Sequence, residues 1–279
     1  MAIKELKEAL RLLHEFPSLW IPGAIGGLLA ATLWILYNLT GTFFASRLIL
    51  IFGLILLVFV TGLLAGIKNN RSNPVTLLAG GIQYYFRVLL PQLVIIFITS
   101  LVCLLVMATL SLAGLAPDIS IITVLLFAIG IPAFVLTIFF DTAAVFEDRP
   151  VFGSIKRSME IVLGRSSEVF TFFLVSIGLF FGVLFLLMMV WEALLYERLQ
   201  PLTRYNETQI QSFTPDQLAA LIGPTGLWIT AVIIFAGVLV LLPILYSYKA
   251  CVFRKISGNV IEVQQVIGEF DNKGRWYKY

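Results

Sequence analysis

Long apolar stretches separated by short charged segments dominate the chain. A helix needs about 20 mostly apolar residues to cross a bilayer core of about 30 Å, and six uncharged windows reach that length. The pattern therefore predicts an all-α fold, a polytopic bundle of six transmembrane helices. The predicted spans are Leu19–Asn38, Leu48–Ile67, Leu90–Leu112, Ile119–Phe140, Val169–Trp191 and a sixth that starts near Leu227.

The polar segments before the first, third and fifth spans carry apolar residues at positions i, i+3, i+7 and i+10. This spacing is typical of an amphipathic helix lying in the membrane interface. The residues are Ile3, Leu6, Leu10 and Leu13; Val75, Leu78, Ile82 and Tyr85; and Phe152, Ile155, Met159 and Val162. Pro74 and Pro150 suit the first turn of such a helix. A chance match remains the alternative, because four apolar positions are easily found in a loop between spans.

Together with the two spans that follow, each amphipathic segment forms a unit, and the units start 72 to 77 residues apart. A fixed period of this kind predicts an internal repeat. We predict three repeats, at about 1–70, 71–147 and 148–250, in a single membrane domain that covers residues 1–250. Residues 251–279 are predicted to form a cytoplasmic C-terminal tail.

The composition supports a membrane protein, since 59% of the 279 residues are hydrophobic and 13% are charged, against about 25% charged residues in soluble proteins. Cytoplasmic loops of membrane proteins hold an excess of Lys and Arg. With the N-terminus inside, 16 of these residues fall on the inner side and three on the outer side. The outer three are Arg47, Arg198 and Arg204. We therefore predict a multi-pass protein of the cell membrane with both termini in the cytoplasm and no cleaved signal peptide. The net charge is +3, but the basic residues are distributed as membrane topology requires, so we expect no nucleic-acid partner.

The stretch DTAAVFEDRPVFGSIKRSMEIVLGRSSEVF, from Asp141 to Phe170, joins an acidic turn to a helix with Ser154, Arg157 and Ser158. It resembles a family of six-helix prokaryotic membrane proteins. That family includes the membrane domain of some glycerophosphodiester phosphodiesterases and uncharacterised stand-alone archaeal and bacterial relatives. The opening IKELKEALRLLHEFPSLWIPG is similar to the start of the same family. The resemblance implies architecture; it carries no assigned reaction, and the phosphodiesterase activity is not expected of these residues.

Asp141 directly follows the fourth predicted apolar window and is expected to lie about one to two turns inside the cytoplasmic surface of the membrane. A charge at the centre of a span costs about 2.5–3.5 kcal/mol, so such a residue is a candidate for function by default. Its expected partners are Arg87, Lys156, Arg157 or Arg165. A structural ion pair with Arg87 or Arg157 is the favoured interpretation. An ion or proton relay and solvent exposure through helix unwinding are the alternatives. Arg11, Lys156 and Arg165 are also candidate contacts for lipid headgroups.

Motifs of catalysis or of metal and cofactor binding are absent from the sequence, and His14 is its single histidine. We expect no cofactor, and an enzyme is disfavoured without being excluded. Asn206 lies in a glycosylation sequon on the predicted outer side. Glycine pairs four residues apart, at positions 23 and 27, 62 and 66, and 178 and 182, predict close helix packing. We favour packing within the chain, and a second copy or a partner membrane protein is the alternative. Pro132 and Pro243 are expected to kink or locally unwind their helices.

Three functions remain open on this basis. The first is a non-catalytic membrane module that interacts with lipids or organises partner proteins through its basic inner face. The second is a transporter or channel, either monomeric or oligomeric, that uses Asp141 and the helix kinks. The third is an enzyme that acts on lipid headgroups through Glu147, Asp148 and Glu160.

Topology can be tested with single cysteines at Glu8 and Asn206 in a chain whose two natural cysteines are replaced by serine. In intact cells we expect an impermeant maleimide to label position 206 and to spare position 8, with labelling of position 8 only after lysis. Labelling of position 8 in intact cells would contradict the predicted orientation.

Overall fold

The computed structural model of the protein describes residues 2–70, 73–114, 118–200, 215–258, 268–270 and 276–278. Helices follow one another through most of these residues, and a short strand pair lies near the C-terminus. The helices are α1 (Ala2–Glu15), α2 (Ile21–Thr40), α3 (Thr42–Asn69), α4 (Pro74–Leu112), α5 (Ile119–Thr137), α6 (Phe140–Phe146), α7 (Val151–Gly164), α8 (Ser166–Leu194), α9 (Tyr196–Leu199) and α10 (Pro215–Ser257). A single 3₁₀ turn, Pro17–Trp20, joins α1 to α2.

The predicted all-α membrane bundle is confirmed, since six helical segments are long and apolar enough to cross a membrane. They are Pro17–Thr40, Thr42–Asn69, Pro74–Leu112, Ile119–Phe146, Ser166–Leu194 and Ala220–Ser257. Each contains one predicted span and extends beyond it. The chain is thus an integral membrane protein. The predicted tail contributes a feature that the apolar pattern did not indicate, an antiparallel pair of strands, β1 (Gly268–Phe270) and β2 (Trp276–Lys278).

Two of the three segments with amphipathic spacing form separate helices, α1 and α7. The segment that follows Asn73 instead forms the first turns of α4, which continues without a break for 39 residues. Its start is well specified: Asn73 and Thr76 form a capping box, and Pro74 occupies the first turn. The three-repeat organisation of the chain stays a prediction.

Close approach between helices depends on glycine at two interfaces. A methyl group on Gly23 of α2 would lie 2.5 Å from the carbonyl oxygen of Leu239 in α10. A methyl group on Gly62 of α3 would lie 2.3 Å from the carbonyl oxygen of Leu77 in α4. The expected packing within the chain therefore occurs at these two positions. Around Gly178 and Gly182 of α8, by contrast, no atom lies within 4 Å of an added methyl group.

The two prolines that were expected to disturb their helices, Pro132 and Pro243, leave those helices continuous. Pro243 lies inside α10. The residue of α10 with non-helical geometry is Gly223, whose φ is 64° and which lies 20 residues before this proline. A proline cannot donate a hydrogen bond to the carbonyl four residues earlier, which for Pro243 is that of Leu239. That carbonyl faces Gly23 at the α2–α10 interface. Pro132 lies inside α5, which ends at Thr137. The expected unwinding at the prolines is therefore not observed; the chain departs from helical geometry at Gly223 and after Thr137.

Burial is concentrated at one end of the bundle, which we call the basic end. It comprises α1, α6, α7, the last turns of α3 and α10, and the first turns of α4 and α8. The fully buried large side chains there include Leu13, Phe139, Ile161, Tyr248 and Phe253. Towards the opposite end the helices separate: α5 has no buried residue, and α8 buries only Val169 and Phe172. The bundle is thus tightly packed at the basic end and open towards the other.

The glycine contacts give a matched pair of substitutions. We expect Gly62→Ala to lower the free energy of unfolding by about 1–3 kcal/mol, because the added methyl group collides with backbone that cannot move freely. Gly178→Ala is the control, since the same methyl group meets open space and alanine favours a helix. Thermal unfolding of both variants in one detergent checks this, and equal stability would contradict the assigned packing.

Candidate functional site

A cavity of about 720 Å³ lies between α3, α4, α5, α8 and α10, within the range of about 300–1,000 Å³ that is usual for ligand pockets. Its walls are mostly apolar. Phe134, Ile177 and Phe180 at its rim are between 43% and 60% exposed, so the cavity opens between apolar side chains. Asp141 and Lys249 form part of its lining, together with the polar side chains of Gln92, Thr99, Ser100, Thr137 and Ser176.

Asp141 and Lys249 form a buried ion pair at the basic end of this cavity. The Nζ atom of Lys249 donates to Oδ2 of Asp141 at 2.6 Å, and the Thr142 N–H donates to Oδ1 at 2.7 Å. The side chains are 12% and 6% exposed. Pairing is required here, because a buried charge without a partner costs several kcal/mol.

The position of Asp141 follows from the break between α5 and α6. The Phe139 N–H, which starts the new helix, donates to Oγ of Ser158 at 3.0 Å, and this hydroxyl donates to the Leu136 carbonyl at 2.9 Å. Ser158 of α7 thereby satisfies backbone groups on both sides of the break. Asp141, in the first turn of α6, is then directed towards α10.

The expected pairing of Asp141 with Arg87 or Arg157 is not formed. Arg87 Nη1 lies 3.0 Å from Asp148, and Arg157 Nε lies 3.1 Å from Glu147. Both arginines are held by the acidic turn that follows α6. Lys249 is the partner that sequence reasoning missed, because it directly follows the uncharged stretch that ends at Tyr248 and is not part of the predicted span. Its position at the C-terminal end of the sixth apolar stretch, on the side predicted for Asp141, was the available signal.

The acidic turn ties four elements together. Asp148 accepts a hydrogen bond from Lys68 of α3 at 2.6 Å as well as from Arg87 of α4. Its φ is 53°, a left-handed conformation that aspartate adopts more readily than most residues. The hydrogen bond from Lys68 is the main reason why the pKa of Asp148 lies below its ordinary value. Lys68 also donates to the Val145 carbonyl at 2.7 Å.

Two further contacts fasten helices to the end of α10. Arg157 of α7 is 5% exposed; it pairs with Glu147 and donates from Nη2 to the Ser257 carbonyl at 3.1 Å. Glu5 of α1 pairs with Lys255. Burial opposes ionisation of Glu5, but the hydrogen bond and charge of Lys255 outweigh it and lower the pKa of that carboxyl.

The three candidate headgroup contacts are more exposed. The side chains of Arg11, Lys156 and Arg165 are 70%, 55% and 37% exposed. Each lies within 4 Å of a carboxylate three or four residues further along the chain. Such pairs contribute at most about 1 kcal/mol, so these cations are accessible from outside. Asn206 lies outside the described residues.

The proposed catalytic carboxylates do not converge on the cavity. Glu147, Asp148 and Glu160 are each held by basic side chains of the basic end, and none of them lines the cavity. Within the described ranges, no group of three His, Cys, Asp or Glu side chains is arranged to hold a metal ion. What the cavity offers chemically is one neutral ion pair, a few amide and hydroxyl groups, and apolar walls.

Comparison of the chain with protein-family models, curated proteins and solved structures gave no match.

The Asp141–Lys249 pair can be tested by a double-mutant cycle. We expect Lys249→Met to lower the free energy of unfolding by about 3–5 kcal/mol, because it leaves a buried carboxylate unpaired. The double variant D141N/K249M should recover at least half of this loss, because no buried charge remains. Thermal unfolding in lipid-supplemented detergent is the measurement, and Arg11→Gln, which breaks an exposed pair, is the control. A loss no larger than that of the control would refute a stabilising buried pair.

Proposed function

We propose that this protein is a non-catalytic, lipid-interacting membrane module whose basic end faces the cytoplasm. In this proposal α1 and α7 lie in the inner interface of the bilayer, with one side against the protein and another against lipid. The observation that carries the proposal is the orientation of α7, which exposes large apolar side chains while polar side chains occupy part of its buried face.

The buried face of α7 holds the polar residues Ser154, Arg157 and Ser158, which are at most 5% exposed, next to the apolar Ile161 and Val162. Its outward face holds Phe152 and Leu163, which are 71% and 69% exposed. A helix whose outer side faces water carries polar residues there, and not large apolar ones. The outward face of α7 is therefore suited to contact acyl chains, and the buried face is satisfied by hydrogen bonds and ion pairs.

The other two amphipathic segments support the same interpretation. Val75, Leu78 and Ile82, at the start of α4, all face outward. In α1, Ile3 and Leu10 are exposed beside Lys7, which is also exposed. Outward apolar residues in all three segments give the basic end a rim that matches the boundary between headgroups and acyl chains.

Basic residues next to this rim suit anionic headgroups. Lys156 is next to the apolar face of α7, Arg165 follows that helix, and Arg11 lies on α1. A Lys or Arg near an anionic membrane surface contributes about 1 kcal/mol of attraction. A cytoplasmic basic end also agrees with the sorting of Lys and Arg in the sequence.

The alternatives are less well supported. An enzyme acting on lipid headgroups loses its basis, because the candidate carboxylates are paired and lie away from the cavity. A transporter is favoured by the cavity beside Asp141, but the ion pair is followed towards the basic end by buried Phe139, Tyr248 and Phe253. Membership of the six-helix family is retained as a proposal about architecture. Assembly with a second copy or a partner membrane protein is retained as a proposal for the open glycine face of α8.

Native mass spectrometry of the detergent-solubilised protein tests the lipid interaction. With equal amounts of phosphatidylglycerol and phosphatidylcholine present, we expect the protein to retain the anionic lipid preferentially. In the variant R11Q/K156Q/R165Q the ratio of bound phosphatidylglycerol to bound phosphatidylcholine should fall at least about fivefold. This fall corresponds to the attraction that one basic residue contributes. Arg47→Gln, which removes a cation from the opposite end, is the control. Unchanged preference in the triple variant, or an equal loss in the control, would refute the proposal.

A further inference from the structure

We infer that the cavity beside Asp141 and Lys249 binds a single acyl-chain amphiphile with an uncharged, oxygen-rich headgroup of the acylglycerol type. The inference rests on the proposed function, because it assigns a specific site to a lipid-interacting module. It differs from that function in its location, since the cavity lies among the spans and not at the interfacial rim. It also differs in the charge of the lipid.

The first observation is an unpartnered hydroxyl in the cavity. The Oγ atom of Ser176 is inaccessible to solvent and has no hydrogen-bond partner, although Ser176 lines the cavity. A buried polar group without a partner costs about 1–3 kcal/mol. Ser176 lies one turn beyond Phe172, which is buried at the basic end of the cavity. A rotation of the Ser176 side chain that turns the hydroxyl into the cavity would let a ligand at this depth satisfy it.

Further unused hydrogen-bonding capacity lies at the same end. Gln92, an exposed residue of the cavity wall, makes no side-chain hydrogen bond to a described residue. Lys249 carries three donors, of which the contact with Asp141 uses one. An ammonium, an amide and a hydroxyl together offer more donors than acceptors, a set that suits ester, hydroxyl or carbonyl oxygens.

The charge of the site restricts the headgroup. Asp141 and Lys249 are the charged residues of the cavity wall, and they neutralise each other. An anionic headgroup would compete with Asp141 for Lys249, and a cationic one would compete with Lys249 for Asp141. Either would leave a buried charge without its partner, at a cost of several kcal/mol. An uncharged headgroup can use the free donors and keep the ion pair intact.

The walls beyond these groups fit an acyl chain. Ile95, Phe134, Ile177 and Phe180 line the cavity further from the ion pair. A second cavity of about 590 Å³ adjoins it, shares Phe180 and Leu245 with it, and extends along α8 and α10 as far as Trp191 and Thr230. Nineteen residues of α10 separate Lys249 from Thr230, which is about 28 Å of helix. This length approaches the thickness of the hydrocarbon core, so a chain anchored by its headgroup has an apolar path along the bundle.

Photo-crosslinking of the full chain in detergent tests this site. The probe is a monoacylglycerol with a diazirine in its acyl chain, and crosslinked peptides are identified by mass spectrometry. We expect saturable labelling of residues 92–100 or 172–180 that unlabelled monoolein suppresses. Oleic acid, oleylamine and phosphatidylglycerol should compete at least about tenfold more weakly, as expected for the loss of one buried ion pair.

Variants separate the cavity from the outer surface. Ala133→Trp fills the cavity and should reduce labelling at least about tenfold, whereas Gly182→Trp, which projects into open space, should leave it unchanged. Gln92→Leu should weaken competition by monoolein about five- to tenfold, the equivalent of one hydrogen bond, and it remains informative if Ala133→Trp does not fold.

Non-saturable labelling, equal labelling in Ala133→Trp, or labelling centred on the outward Phe181 and Phe185 would overturn the site. Equal competition by oleic acid or phosphatidylglycerol would overturn the uncharged headgroup. The variant R11Q/K156Q/R165Q should keep wild-type labelling, so failure of the interfacial proposal and failure of this one give different results.

Discussion

The structure depends on the requirement that charged side chains removed from water must meet a partner. Four acidic residues, Glu5, Asp141, Glu147 and Asp148, each contact a basic side chain from another helix at the basic end. The attraction between such charges is stronger away from bulk water, and so is the cost of leaving one unpaired. These contacts therefore fix which helices are neighbours, more specifically than apolar surfaces alone, which lipid can cover equally well.

This constraint explains the uneven packing of the bundle. At the basic end, charged and aromatic side chains hold α1, α6 and α7 against α10, and the core is closed. Towards the other end, α5 and α8 present apolar residues that lipid solvates as well as protein does. No ion pair among the described residues draws those helix ends together. The cavity lies between the closely packed basic end and the open end of the bundle. The Asp141–Lys249 ion pair is at one end of the cavity and apolar walls are at the other.

Much of the architecture could be predicted from the sequence because it depends on local composition. Uncharged windows of about 20 residues identified all six spans, and the glycine spacing identified the positions where α2 and α3 approach their neighbours. The separate start of α7 at Pro150 also followed from local signals. The continuous α4 did not, because the amphipathic spacing after Asn73 does not by itself say where a helix ends.

The candidate site was only partly predictable. Asp141 stood out as a charge within a span, but its partner is 108 residues away, and apolar periodicity contains no information about which basic residue will face it. The break after Thr137 turns Asp141 towards Lys249, and that break depends on Ser158 from another helix. The cavity depends on the separation of α5 from α8, which is a property of tertiary packing. Ser176 and Gln92 were unremarkable in sequence, because a single polar residue in a span usually bonds to its own backbone.

The dependence of the basic end on α10 has a consequence for biogenesis. Lys249, Lys255 and the Ser257 carbonyl lie in the last turns of the final span, and a ribosome makes them after every other helix. Until then Glu5, Asp141 and Arg157 lack these contacts, although all three belong to helices already made. Domains generally begin to fold during synthesis from the N-terminus, but here the earliest helix cannot reach its final position before the latest one arrives. Assembly of this bundle is therefore completed after synthesis of the last span, and not helix by helix.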